Sequence, residues 1–481
     1  MIPRLRQHPF FTTLLLLGLI AALGGDWQWS ATDPAAELGR VFEGLLKPDF
    51  FATEFLFDAL LTTVSIAILG IALGLALALG LVPLYRYAPV RLLCTAVRAV
   101  HELFWALLFL QLFGLSSQTA LLALALPYGA TFARVFSGIL AQAPSSIALA
   151  LPAGSSPLTR LIYGQILPVW PALLSYTRYR FECALRASAV LGFVGLPTLG
   201  FHLETAFRQG HYAQGGALLW LFLLLIGSQK WWLNRFSLVP LFVASLLWLP
   251  WQWHPDLTWA RQFLGQEIWP QLQYTQGSWL LWVKSLAQQA LPGLWATLMM
   301  AFMALMLSGL IAVLAWPLGT GRLWPSLGPI KGVWLGRGAL LVGRSLPELL
   351  LAFILLLVFG PSMLPAAVAL AIHNGSLIAH LVSQRADSLP LRADCGRSPA
   401  HWLYEYLPRL GPGIADLLTY RFEIMLRETA MLGMLGVASL GFYVDSAFEL
   451  FQFDLAFGLI LVTALLNILV AALCRRLVRT Q

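Results

Sequence analysis

YRFECALRASAVLGFVGLPTLGFHLETAFR, residues 179–208, and YRFEIMLRETAMLGMLGVASLGFYVDSAFE, residues 420–449, align without a gap, and 15 of the 30 positions are identical. Working outward, Arg98-x3-Glu102-Leu103 matches Arg344-x3-Glu348-Leu349, and Phe113-Gly114 matches Phe359-Gly360. The chain therefore divides into two copies of one unit, residues 1–235 and residues 236–481.

Of the 481 residues, 59% are hydrophobic and only 11% charged, against about 25% charged in a soluble domain. Apolar runs recur along the whole length: 10–24, 56–82, 99–113, 119–135, 171–196 and 213–226 in the first copy, then 238–251, 291–316, 340–359, 363–381, 413–437 and 455–474 in the second. A crossing needs roughly 17–25 such residues. The fold class is thus an all-α integral membrane protein of about 12 transmembrane helices. An even number of spans per copy gives the two copies the same orientation, as parallel repeats with a pathway between them.

The net charge of +8 does not form a nucleic-acid surface, because the arginines sit at the ends of apolar runs. Arg4, Arg86, Arg134, Arg322, Arg385 and Arg475 fall in loops on one side, and Asp33, Glu43, Asp256 and Glu267 on the other. By the positive-inside rule both termini are cytoplasmic. The opening stretch, Arg4 and Arg6 followed by an apolar run to Gly24, reads as an uncleaved first helix. Cys94, Cys183, Cys395 and Cys474 are scattered, with no metal-ligand spacing, so no metal and no disulfide is expected.

Two polar cytoplasmic segments, 141–168 and 383–408, occupy equivalent places. Each contains a glycine, Gly154 or Gly396, and ends on Leu-Pro, as Leu167-Pro168 or Leu407-Pro408. A short helix, a glycine turn and a second helix along the membrane surface fit this pattern, and its duplication points to a docking element. Arg180, Glu182 and Arg186, with Arg421, Glu423 and Arg427, repeat as Arg-x-Glu-x3-Arg within span five. Carboxylate and guanidinium four residues apart share a helix face, and ionisable groups at membrane depth face the bundle interior or water. Two readings stay open: internal ion pairs that hold helices in register, or arginines lining a path for an anion.

Glycine then Leu-Pro, followed by a span ending Leu-Gly-x2-Gly-x3-Leu-Gly, resembles the permease subunits of type I ABC importers. Tyr-Arg-Phe-Glu-x3-Arg together with Leu-Gly-x2-Gly is similar to the phosphonate importer permeases in particular, here as a fused tandem duplicate. The likeness covers the last four spans of each copy. It departs from the family's pattern at the Glu-Ala-Ala opening of the coupling loop, where Ala148 and Pro390 stand in place of the Glu, and at the histidine of span four, kept as His373 but replaced by Pro127.

The resemblance implies a translocation path for phosphonate or a related oxyanion, in a bacterial inner (plasma) membrane. Two ABC ATPase subunits would dock on the coupling loops, and a periplasmic binding protein would deliver substrate. ATP would bind the partner and no cofactor this chain, since none of Lys47, Lys230, Lys284 and Lys331 lies in a phosphate-binding loop. The chain itself would catalyse no reaction. The rival is an ion-coupled secondary transporter of parallel six-helix repeats with Glu102 or Glu348 as proton site. Against it, the loop after span two reads LVPLYRYAPVR, residues 81–91, without a Gly-x3-Asp-Arg motif.

Overall fold

A computed structural model describes residues 9–28, 33–52, 54–144, 146–147, 151–152, 154–234, 236–251, 257–272, 277–321, 329–390 and 402–479. The described chain is helical throughout. In order it forms α1 (Pro9–Gly24), α2 (Pro34–Leu46), α3 (Leu56–Leu84), α4 (Ala88–Ala99), α5 (Glu102–Phe113), α6 (Ser117–Ala141), α7 (Leu167–Val190), α8 (Leu199–Arg208), α9 (Tyr212–Gly227) and α10 (Leu238–Trp248). There follow α11 (Leu257–Gln262), α12 (Trp279–Ala315), α13 (Pro329–Ser345), α14 (Glu348–Phe359), α15 (Met363–Ser388), α16 (Leu407–Leu432), α17 (Leu440–Glu449) and α18 (Phe453–Arg479).

Five helices are long and apolar enough to cross a membrane, or nine when each of four bent pairs counts as one span; α1, α9 and α10 are shorter apolar helices. Helices α3, α12 and α14 are apolar all round, as buried or membrane-crossing helices are. The chain is a multi-pass membrane protein.

The third apolar run of each copy departs from expectation. Instead of one straight span it is two helices meeting at 92°, α4 with α5 and α13 with α14. At 1.5 Å per residue, the 12 residues of α5 or α14 rise only about 18 Å, short of a hydrocarbon core of about 30 Å. The corner has a local cause in each copy. The His101 side chain accepts a hydrogen bond from Leu103 N at 3.2 Å, capping α5. Pro347, extended at ψ 139, stands before α14 and disfavours helix in the residue ahead of it.

Packing divides the chain into two compact units, Pro48–Phe263 on one hand and Met1–Lys47 with Leu264–Gln481 on the other. Each sequence copy thus lends its opening helix to the unit of the other. Helix α1 packs along α12: Trp295 Nε1 donates to Gly24 O at 2.9 Å, and Ala21 shares a core with Met299 and Met303. Helix α10 lies on α3, where Trp248 Nε1 donates to Thr62 Oγ1 at 3.3 Å.

Within the unit 48–263, the Leu-Gly-x2-Gly turn after α7 folds on itself. Gly195 has φ +92°, and a Cβ on Gly200 would run into the Ala189 carbonyl. The turn is pinned by a buried threonine on the second span: Thr63 Oγ1 accepts from Leu199 N at 2.9 Å while donating to Ala59 O. The other unit repeats this. Gly436 has φ +86°, a Cβ on Gly441 would meet the Ala430 carbonyl, and Thr297 Oγ1 accepts from Leu440 N at 3.1 Å.

Candidate functional site

The repeated arginines sit on α7 and α16, one in each unit. Helix α7 continues a helical run that begins at Pro157 and ends at Val194, so Arg180 and Arg186 lie well inside it. Leu167-Pro168 does not end a surface helix as expected. The helix passes through it, widened to π geometry over Arg160–Ile166, with Leu167 N bonded to Ile162 O. A proline lacks the N–H for an i→i−4 bond and clashes with the preceding turn, and a π-turn absorbs the mismatch. The second copy does the same, with a π-turn at Trp402–Tyr406 ahead of Leu407-Pro408.

Around the Leu-Pro steps the two copies differ in character. In the first, Gly154 is exposed with open space about it, and Leu158, Tyr163 and Leu167 expose apolar surface. In the second, Tyr406 is buried against Trp316, and Arg409 Nη1 donates to Glu405 Oε1 and Pro390 O, both at 2.8 Å. Nearby Arg337 pairs with Asp387 at 3.0 Å, which also accepts from Thr320 Oγ1. Gly396 lies outside the described residues.

In the unit 48–263 the Arg180 guanidinium is enclosed by tyrosines. Its Nε donates to the Tyr176 hydroxyl at 2.8 Å, and its Cζ lies 5.7, 5.4 and 5.8 Å from the ring centroids of Tyr128, Tyr176 and Tyr179. Tyr176 is braced edge-on by Phe132 and Phe136. An arginine at membrane depth costs about 2.5–3.5 kcal/mol by insertion scales, and each cation–π contact returns about 0.5–2 kcal/mol, so the cage carries much of that cost. Glu182 and Arg186 are half-buried, with Arg186 Nη2 donating to Cys183 Sγ at 3.6 Å.

In the unit containing 264–481 the equivalent Arg421 is buried, and its Nε donates to Asn374 Oδ1 at 2.6 Å. Asn374 in turn donates to Leu370 O at 3.0 Å and to Glu428 Oε2 at 3.5 Å. Beside it His373 Nε2 meets Glu348 Oε1 at 2.8 Å, and Nδ1 meets Leu346 O at 2.9 Å. Glu423 and Arg427 are half-buried on the same helix.

Four polar residues of these clusters escaped the motif reading: Tyr128, Tyr176, Asn374 and Glu428. The alignment contains their signal. Counting on from Gly114 and Gly360, Tyr128 falls opposite Asn374, and within the paired strings Ala187 falls opposite Glu428. Tyr128 lies beside Arg180 and its counterpart Asn374 beside Arg421.

Comparison with known proteins gives the likeness a wider base. Over 448 residues, 85% of this chain and 81% of its relative, the sequence is 24% identical to the phosphate-import permease protein PhnE of Mycolicibacterium smegmatis. It is 27% identical to the phosphite transport system permease protein PtxC of Stutzerimonas stutzeri over 38% of this chain and 70% of that protein, so the relative is far the shorter. A stretch of 73 residues, 15% of this chain and 60% of the relative, is 36% identical to a putative cryptic phosphonate transport system permease protein of Escherichia coli. No family model matches, and no solved structure matches. In sequence, then, the chain is similar to phosphate-, phosphite- and phosphonate-transport permeases.

Proposed function

We propose that the chain forms the translocation path for phosphonate, phosphite, phosphate or a closely related oxyanion in an ATP-driven importer, with residues 1–235 and 236–481 as the two permease repeats. The observation that carries this reading is the pair of arginines, half-buried Arg180 and buried Arg421, at one repeated position on α7 and α16. Guanidinium groups suit tetrahedral oxyanions because their N–H donors match two oxygens at once. The chain has no nucleotide-binding loop of its own, so the motor is a separate ATPase pair, docked on the segments bearing Gly154, Leu167, Pro168, Gly396, Leu407 and Pro408. A binding protein on the outer face hands over the anion. Both termini face the cytoplasm of a bacterial inner membrane, as the arginine distribution favours.

The test is uptake of labelled phosphate, phosphite and methylphosphonate by cells expressing the chain together with an ABC ATPase and a periplasmic binding protein. Uptake of at least one of the three, abolished by ATP depletion and insensitive to a protonophore while ATP is held constant, is the expected result. Uptake that collapses with the proton gradient and ignores ATP would instead support a secondary transporter.

A further inference from the structure

We infer that α2 (Pro34–Leu46) is an interfacial helix, lying flat on the bilayer with one face in the acyl boundary and another in water; this goes beyond the permease reading and does not depend on it. At about 100° of turn per residue, its side chains fall into three stripes. Val41 and Gly44 are its buried positions, and the helix packs on α14. Leu38, Phe42 and Leu46, spaced by four, are 53%, 60% and 67% exposed. Arg40, Glu43 and Lys47 are exposed along the remaining side. Protein, lipid and water thus each have a stripe of their own.

A continuous stripe of large apolar side chains left uncovered marks an interface, and three observations make its occupant lipid. The charges of the neighbouring stripe are matched within the helix, Arg40 by Glu37 and Lys47 by Glu43, the latter at 2.8 Å, so the helix offers no unmatched charge to a soluble partner. The chain also ties α2 to the membrane on both sides. Helix α1, which exposes Leu15, Leu16, Leu19 and Leu23, ends at Gly24, and Asp33 then caps α2 by accepting from Ala36 N at 3.1 Å. The membrane-long α3 begins at Leu56. Finally, covering a short helix does not by itself call for such a stripe. In the unit 48–263 the linker helix α11 lies on α5, with Trp259 Nε1 donating to Gln111 O at 2.7 Å, yet the positions it exposes, Thr258, Arg261 and Gln262, are polar. An apolar face beside a self-paired charged face, tethered between spans, is what settles into the boundary of headgroups and acyl chains.

The experiment places a nitroxide label on the full chain in phosphatidylcholine vesicles, through Leu38→Cys, Phe42→Cys, Leu46→Cys or Glu43→Cys, with Cys94, Cys183, Cys395 and Cys474 changed to alanine. Collision with oxygen, which concentrates in lipid, is compared with collision with a water-soluble nickel chelate. Labels at 38, 42 and 46 are expected to favour oxygen over the chelate by at least about threefold relative to the label at 43, as a helix buried on one side only requires. The contrast should be the same with phosphatidylglycerol added, because the charged stripe is already paired. Labels at 38, 42 and 46 as open to the chelate as the label at 43, or shielded from both reagents, would overturn the assignment, the first by placing the stripe in water and the second by placing it under protein. A contrast that appears only with phosphatidylglycerol would overturn it too. Should the cysteine-free chain fail to accumulate, the wild-type chain with p-benzoylphenylalanine in place of Phe42 gives the same decision on illumination: crosslinks to phospholipid support the inference, and crosslinks to a second chain or to none overturn it.

Discussion

Arg180 and Arg421 occupy one position in two copies of the same string, yet one rests among tyrosine rings and the other in a network of amide and carboxylate groups. Duplication supplies the same backbone twice, and the glycine turns and the threonines that pin them are kept in both. The helix faces between those anchors have diverged. Where packing sets the geometry, the copies agree; where a buried charge has to be balanced, each copy has found its own means.

That contrast can be broken most forcefully at Arg421. Its removal leaves the buried Asn374 Oδ1 without its donor, and a buried polar group left unpartnered costs about 1–3 kcal/mol. Arg421→Gln should therefore lower thermal stability in detergent. Arg180→Gln should leave the melting temperature nearly unchanged. Equal destabilisation by the two single changes would erase the distinction between cage and network.

The shared anchors come next, and here equality is the expectation. Gly200→Ala and Gly441→Ala each drive a methyl group into a backbone carbonyl, a strain of about 3 kcal/mol, so both variants should accumulate poorly. Thr63→Val and Thr297→Val each leave the N–H of Leu199 or Leu440 without its acceptor, at about 1–3 kcal/mol. Unfolding midpoints that fall in only one copy would show that the anchors have diverged too. The smallest effect is expected at the rim, where Arg337→Ala removes a partly exposed ion pair of about 0–1 kcal/mol. It should shift stability little and become silent in high salt.

Much of this architecture is legible in the sequence. The start of each apolar run from 10 to 455 falls within a few residues of an observed helix end in most cases, because a bilayer-crossing helix is long and uniformly apolar. The corner between α4 and α5 is not legible. An apolar stretch from Ala99 onward carries no mark of direction, and the bend rests on one histidine cap in the first copy and on Pro347 in the second. Leu167-Pro168 and Leu407-Pro408 misled for a related reason: proline announces a helix start or a kink, and the π-turn that lets a helix run on through it leaves no sequence signature. The ionisable string was visible at once, but the tyrosine cage joins Tyr128 on α6 to Tyr176 on α7, a pairing no spacing rule reaches. Glu428 stood in plain view beside Arg427, and only its comparison with Ala187 gives it meaning.

The exchange of opening helices bears on how such a chain is made. Helix α1 leaves the ribosome first, but the surface that buries Leu14 and Ala21 belongs to α12 and α16, hundreds of residues later. Until then it is held by lipid alone. The unit 48–263, by contrast, is completed by α10, the first helix of the following copy. Synthesis therefore closes the middle of the chain before its beginning. Cutting the polypeptide between residues 235 and 236 would give two fragments that each carry the other's missing helix, and they would regain native packing only when made together in one membrane.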